Sequence, residues 1–272
     1  MASKGTKYIL HYWPGIPGRG EFIRLAFEST SHPYKEKHDP LNVCMKANKP
    51  LGHPPHFAPP VLEVVNDDSK SSSSSAFISQ TPAILAYLAP ILGLDGVAST
   101  LNEHATLIQR AQVNQLTLTI LDLNNETHDV HHPVASGAYY EEQREEAMRR
   151  AKDFRATRIP KFFQLYQLAL ESNPNSKEWL ISSNFTTADL ALFQVCLLHY
   201  STIFFFFLTT SPYCSHLRSL MVFTLPFLAL WAHSKQVGST ILSLPCAIGL
   251  QTLTQCKSIS EVAADRNTGE QC

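Results

Sequence analysis

Hydrophobic positions change period several times along the first ninety-odd residues. Tyr8-Ile9-Leu10-His11-Tyr12 reads as a β-run, followed by W-P-G-I-P-G-R-G, a loop with three Gly and two Pro. Glu21 to Ser29 (E-F-I-R-L-A-F-E-S) has helical spacing through Phe22, Leu25 and Ala26. Pro33 to His38 suits a second strand. Pro60-Val61-Leu62-Glu63-Val64-Val65 is a third, with its proline at the first position, where a strand tolerates one. Ala76-Phe77-Ile78-Ser79 is a fourth. Gln80-Thr81 then opens a helix. Thr81 is the expected N-cap, Pro82 the first helical residue, and Ile84, Leu85, Leu88, Ile91 and Leu92 form the apolar stripe. The order β-α-β-(α)-β-β-α suits a thioredoxin-like α/β half over residues 1–93, in which a right-handed βαβ crossover packs onto a small mixed sheet.

Gly93 to Thr100 (G-L-D-G-V-A-S-T) is a run of turn residues and reads as a linker. Beyond it the period is helical, which predicts an all-α domain over 100–195. Leu101 to Val130 is one helix. Tyr139 to Ser172 is another, acidic at its start and basic further on, with Pro160 expected to kink or break it. Asn184-Phe185-Thr186-Thr187-Ala188-Asp189-Leu190 carries a capping-box-like pair, Thr186 and Asp189, with Phe185 and Leu190 placed as a hydrophobic staple. His128, His131 and His132 fall at i, i+3 and i+4. Their place before Pro133 reads as imidazoles on a helix C-terminus, and no metal site is expected.

Charged residues make up 17% of the chain, below the usual ~25%. The shortfall is local. From Leu190 to Ser260 there is no Asp or Glu, and the only basic residues are Arg218, Lys235 and Lys257. Folded domains need solvated faces, so residues 196–272 are expected to be an atypical tail rather than a normal domain end. An aberrant transcript, a divergent domain end and a membrane anchor are its three readings. The third is weakened because the apolar runs 196–208 and 219–232 are short of the ~20 residues a span needs. Net charge is −1 with no basic stripe, which excludes a nucleic-acid binder. Five of six Cys lie in the last third without a C-x-x-C pair, and the N-terminal residues have no apolar signal core. A reduced, cytoplasmic chain is the expectation.

The chemistry is concentrated at the strand-to-helix junction Ser79-Gln80-Thr81. A helix that starts there offers free N–H groups and a positive dipole end to a small carboxylate. The stretch A-P-P-V-L…I-S-Q-T-P-A-I-L-A-Y-L resembles the glutathione-binding half of glutathione S-transferases and looks most like fungal members near the sigma-like type. The T-x-x-D box begins the buried sixth helix of that family's second domain. The resemblance fades after Leu190. It implies that Pro60 is cis and that Gln80 and Thr81 hold the γ-glutamyl group. It also implies that Pro59 faces the cysteinyl backbone, that Lys46 or Lys49 reaches the glycyl carboxylate, and that Tyr12 activates the thiol. Pro59 has no N–H, so one of the two backbone hydrogen bonds the family makes there is lost. The loop after Tyr12 is about one residue longer than the sigma pattern. The implied function is conjugation of glutathione, a co-substrate, to electrophilic small molecules by a homodimer with no other cofactor. The alternative is an inactive module of the same fold.

Overall fold

The computed structural model of the chain describes residues 6–45, 54–66 and 74–198. These belong to one compact unit. A second unit, 228–272, and with it most of the atypical tail, lies outside the described residues.

The first half contains β1 (Thr6–His11), α1 (Glu21–Ser29), β2 (Lys35–Lys37), α2 (Pro40–Met45), β3 (Val61–Asn66), β4 (Ser74–Ser79) and α3 (Thr81–Leu92). The strands form one sheet in the order β2-β1-β3-β4. β1 is parallel to β2 and antiparallel to β3, and β3 is antiparallel to β4. Tyr8 lies opposite Val64, Leu10 opposite Leu62, and Leu62 opposite Ile78. Strand side chains alternate faces, so these residues share one. That face is buried with Phe22, Ile23, Ala26 and Phe27 of α1 and Ile84, Leu85 and Leu88 of α3. His11 and Glu63 share the opposite face, where His11 Nε2 lies 2.9 Å from Glu63 Oε2.

α3 ends as its sequence predicts. Gly93 takes a left-handed conformation (φ 71°), and the N–H of Leu94 returns to the Ala89 carbonyl at 2.7 Å. Its beginning differs from expectation. The helix starts at Thr81, with Gln80 as N-cap at φ 72° and ψ 118° and no side-chain cap bond. Thr81 is therefore already helical, and its hydroxyl is free for a partner elsewhere.

The second half contains α4 (Glu103–His131), α5 (Arg144–Asp153), α6 (Ile159–Ser172) and α7 (Thr187–Leu198). Asn102 caps α4 by accepting from the Ala105 N–H at 2.8 Å. Pro160 stands in the first turn of α6, just after an interruption of the helical ladder. A π-turn, Phe154–Arg158, joins α5 to α6, and the Ile159 N–H bonds the Phe154 carbonyl five residues back. Proline has no N–H to continue the i→i−4 ladder, and the wider turn absorbs that gap. The stretch from Tyr139 to Ser172 is thus a 3₁₀ turn (Tyr140–Gln143) followed by two helices and this bulge.

α7 packs against α4 and against α1 of the first half. Its start is pinned twice. The Thr187 N–H donates to the Leu94 carbonyl of the linker at 3.1 Å, and the Thr117 and Thr187 hydroxyls lie 3.2 Å apart. Ile120 and Leu123 of α4 are fully buried. Among the described residues no helix is long and apolar enough to cross a membrane.

Candidate functional site

Tyr12 follows the last residue of β1 and is buried, 6% exposed. The turn Gly18–Gly20 lies over its ring. A Cβ at Gly18 would run into the Tyr12 hydroxyl, and one at Gly20 would come within 2.6 Å of the ring. Glycine at 18 and 20 therefore lets the backbone close on the tyrosine, and Gly18 also has a positive φ of 42°. The backbone N–H of Arg19 donates to Tyr12 Oη at 2.8 Å. A phenol oxygen that already accepts from an N–H has its own proton left to donate.

Arg24 holds this loop from below. It is 7% exposed, and its guanidinium engages both Glu36 oxygens (2.9 and 3.0 Å) and Glu21 (2.9 Å). It also reaches the carbonyls of Ile16 (3.4 Å) and Pro17 (3.3 Å), and its carbon lies 5.6 Å from the centre of the Tyr12 ring. Burial works against the charge, but the hydrogen bonds and charges of Glu36 and Glu21 outweigh it and hold the Arg24 pKa above the ordinary arginine value. Glu36 comes from β2 and Glu21 from the first turn of α1, so one side chain joins three elements around Tyr12. This residue was absent from the sequence reading. The available signal was Glu21 and Arg24 at i, i+3 on a helix whose remaining residues are mostly apolar.

The Thr81 hydroxyl donates to the Arg19 carbonyl at 3.3 Å, across 62 residues. The Arg19 peptide is thus bonded on both sides, to Tyr12 through its N–H and to Thr81 through its C=O. Gln80 is a non-glycine residue at positive φ, a sparsely populated conformation that clusters at binding sites. The Pro59–Pro60 peptide is cis and leads directly into β3, whose first residue, Val61, pairs with Ser79, the residue before Gln80. Pro60 is buried and Pro59 half-buried. The fold therefore brings together Tyr12, Arg19 and Thr81 by hydrogen bonds, with Gln80 and Pro60 one residue outside the same β3–β4 pair. Lys46 and Lys49 lie outside the described residues.

The T-x-x-D box is formed. The Thr186 N–H and hydroxyl both donate to Asp189 Oδ2 at 2.8 Å, and the Ala188 N–H donates to the Thr186 hydroxyl at 3.2 Å. Asp189 Oδ1 accepts from the Leu180 N–H at 2.9 Å, which ties the preceding loop to the helix. Burial pushes the Asp189 pKa up, and the donors from Leu180 and Thr186 oppose that rise. The histidines at the end of α4 engage local groups. His132 Nδ1 lies 3.1 Å from the Ala138 carbonyl, and the His131 ring lies 5.7 Å from Tyr140.

A family model described as "Glutathione S-transferase, C-terminal domain" matches residues 128–222. Over these residues the chain is similar to the helical domain of glutathione S-transferases. The match runs past Val195 into the low-charge segment. Solved glutathione S-transferases share the fold. A sigma-class enzyme from Fasciola hepatica aligns with a TM-score of 0.61 at 18% identity, over 87% of this chain and 99% of its own. The glutathione S-transferase of Ascaris lumbricoides gives 0.55 at 22%, over 85% and 98%. A monomeric one from the hookworm Necator americanus gives 0.55 at 22%, over 86% and 99%. No curated protein matches the chain.

Proposed function

We propose that this chain is a glutathione S-transferase and conjugates glutathione to electrophilic small molecules, with Tyr12 activating the thiol. The observation that carries the reading is the Arg19 N–H on Tyr12 Oη, which leaves the phenol proton to donate to sulfur. A donor on sulfur favours the thiolate, the nucleophilic form. The thiol proton leaves to solvent. The sulfur lone pair forms the C–S bond, and the leaving group departs with its electron pair. The γ-glutamyl carboxylate is assigned to the start of α3 at Gln80 and Thr81, and the cysteinyl backbone to Pro59 beside Pro60. The glycyl carboxylate is assigned to Lys46 or Lys49. The electrophile lies on the helical side.

Glutathione enters as co-substrate, and the reaction takes place in the cytoplasm as a detoxification step. Association as a homodimer is supported by Phe57, which is 94% exposed in the segment leading into β3, a large apolar cost for a side chain with no second copy over it.

The test is glutathione-dependent conjugation of 1-chloro-2,4-dinitrobenzene across pH by the full chain and by Tyr12→Phe. If Tyr12 lowers the thiol pKa by about two units, the thiolate fraction at pH 7 falls roughly 25-fold in the variant. The more basic thiolate is intrinsically more reactive by roughly 6- to 10-fold, so the net loss at pH 7 is about three- to fourfold, and the pH profile moves up. No conjugation by the wild-type chain, or an unmoved profile in Tyr12→Phe, overturns the assignment. The first result leaves an inactive binding module of the same fold.

A further inference from the structure

The Arg19 peptide links the two halves of the candidate site, and its side chain leaves in a third direction. Arg19 Nη2 donates to Asn125 Oδ1 on α4 at 2.7 Å, across 106 residues. One residue thus reaches Tyr12 with its N–H, Thr81 with its carbonyl and the helical half with its guanidinium.

The two ends of this tie differ in stiffness. The 14–17 stretch is exposed and contains Gly15 at φ 72°, and Arg24 donates to its Ile16 and Pro17 carbonyls over long contacts of 3.4 and 3.3 Å. α4 is anchored over the same turn. Leu121 and Leu123 are buried, and Glu126 takes Arg158 of the π-turn with two bonds. Asn125 therefore stands on a helix that is fixed by its neighbours, and the loop is the partner that adjusts.

We propose that Asn125 is a positioning residue for thiol activation: by holding the Arg19 guanidinium it sets the Arg19 peptide against Tyr12 Oη. The proposal rests on the reading of Tyr12 as the thiol-activating group. Without the Asn125 acceptor the Arg19 side chain exchanges to water, and the peptide N–H spends part of its time off the phenol oxygen. The phenol then donates to sulfur in a less constrained geometry. An exposed pair of this kind contributes little to global stability. Its effect is read at the sulfur, where about half a pKa unit is a threefold change in the ionisation constant, or about 0.7 kcal/mol.

The test follows the ultraviolet absorbance of enzyme-bound glutathione thiolate against pH, with thermal unfolding of each protein alongside. Four full-length proteins are compared: wild type, Tyr12→Phe, Asn125→Ala and Asn125→Asp. The expected result is a thiol midpoint raised by about half a unit in Asn125→Ala. Asn125→Asp, which keeps an oxygen for Arg19, stays near wild type, and the unfolding temperature is unchanged in both. A midpoint in Asn125→Ala that coincides with wild type, while Tyr12→Phe is raised, overturns the role of Asn125 alone. Equal rises in both Asn125 variants overturn it as well, because the acceptor is then irrelevant. Wild type and Tyr12→Phe with the same midpoint overturn the underlying reading of Tyr12, and the proposal with it.

Discussion

Replacing Arg24 with Met keeps the length and apolar stem of the side chain and removes a buried cation. Two carboxylates then lose the cation they share, while Glu36 keeps the long bond from the Tyr34 hydroxyl at 3.4 Å. Glu21 has a side chain 2% exposed and Glu36 one 24% exposed, and their bonds to Arg24 are 2.9 to 3.0 Å long. Removing one member of a buried pair costs about 3–5 kcal/mol, because the charge left behind is unsolvated. The two longer contacts to the Ile16 and Pro17 carbonyls, at 3.4 and 3.3 Å, add less. We expect a loss of about 4 kcal/mol, a large share of the roughly 5–15 kcal/mol by which domains are stable.

The measurement is urea unfolding at neutral pH, with Arg150→Met as control. Arg150 lies 3.6 Å from Asp129, and both side chains are about half exposed, so that control should lose under about 0.5 kcal/mol. Adding Glu21→Gln and Glu36→Gln to Arg24→Met should recover part of the loss, since the penalty comes from stranded charge rather than from a missing contact. An Arg24→Met variant within about 1 kcal/mol of the Arg150 control would show that the network is solvated and refute this reasoning.

Two further outcomes are expected. Burial raises the Glu63 pKa, but hydrogen bonds from His11 and Ser75 and the charge of Lys37 outweigh it and hold the carboxyl below its ordinary 4.5. A folded-state value below the unfolded one gives stability that is present above pH 4.5 and is lost as pH falls through the lowered value. Urea midpoints measured from pH 6 down to pH 3 should therefore drop less steeply in Glu63→Gln than in wild type, and parallel curves would remove Glu63 from the account. Thr81→Ala loses the hydroxyl bond to the Arg19 carbonyl, which should cost about 1 kcal/mol and weaken retention on glutathione resin. Equal stability together with equal retention would take Thr81 out of the site.

Local patterns were enough for the strands, α1, the stop at Gly93 and the Thr186–Asp189 box. Each of these is decided by a period or a cap within a few residues, where the backbone's own hydrogen bonds and the apolar face agree. The same locality explains the one misplacement. Thr81 has the chemistry of an N-cap, but its hydroxyl serves the Arg19 carbonyl 62 residues away, and Gln80 takes the turn at positive φ instead. Pro160 has the chemistry of a breaker, and a π-turn, Phe154–Arg158, interrupts the ladder just before it. Arg24 and Asn125 were invisible for a related reason. An arginine in a helix and an asparagine in another carry no pattern of their own, and their meaning is the set of acceptors and donors the fold brings within 3 Å. The residue types around Tyr12 were legible in the chain, whereas the Arg19 peptide that joins Tyr12, Thr81 and α4 exists only where β1, α3 and α4 converge.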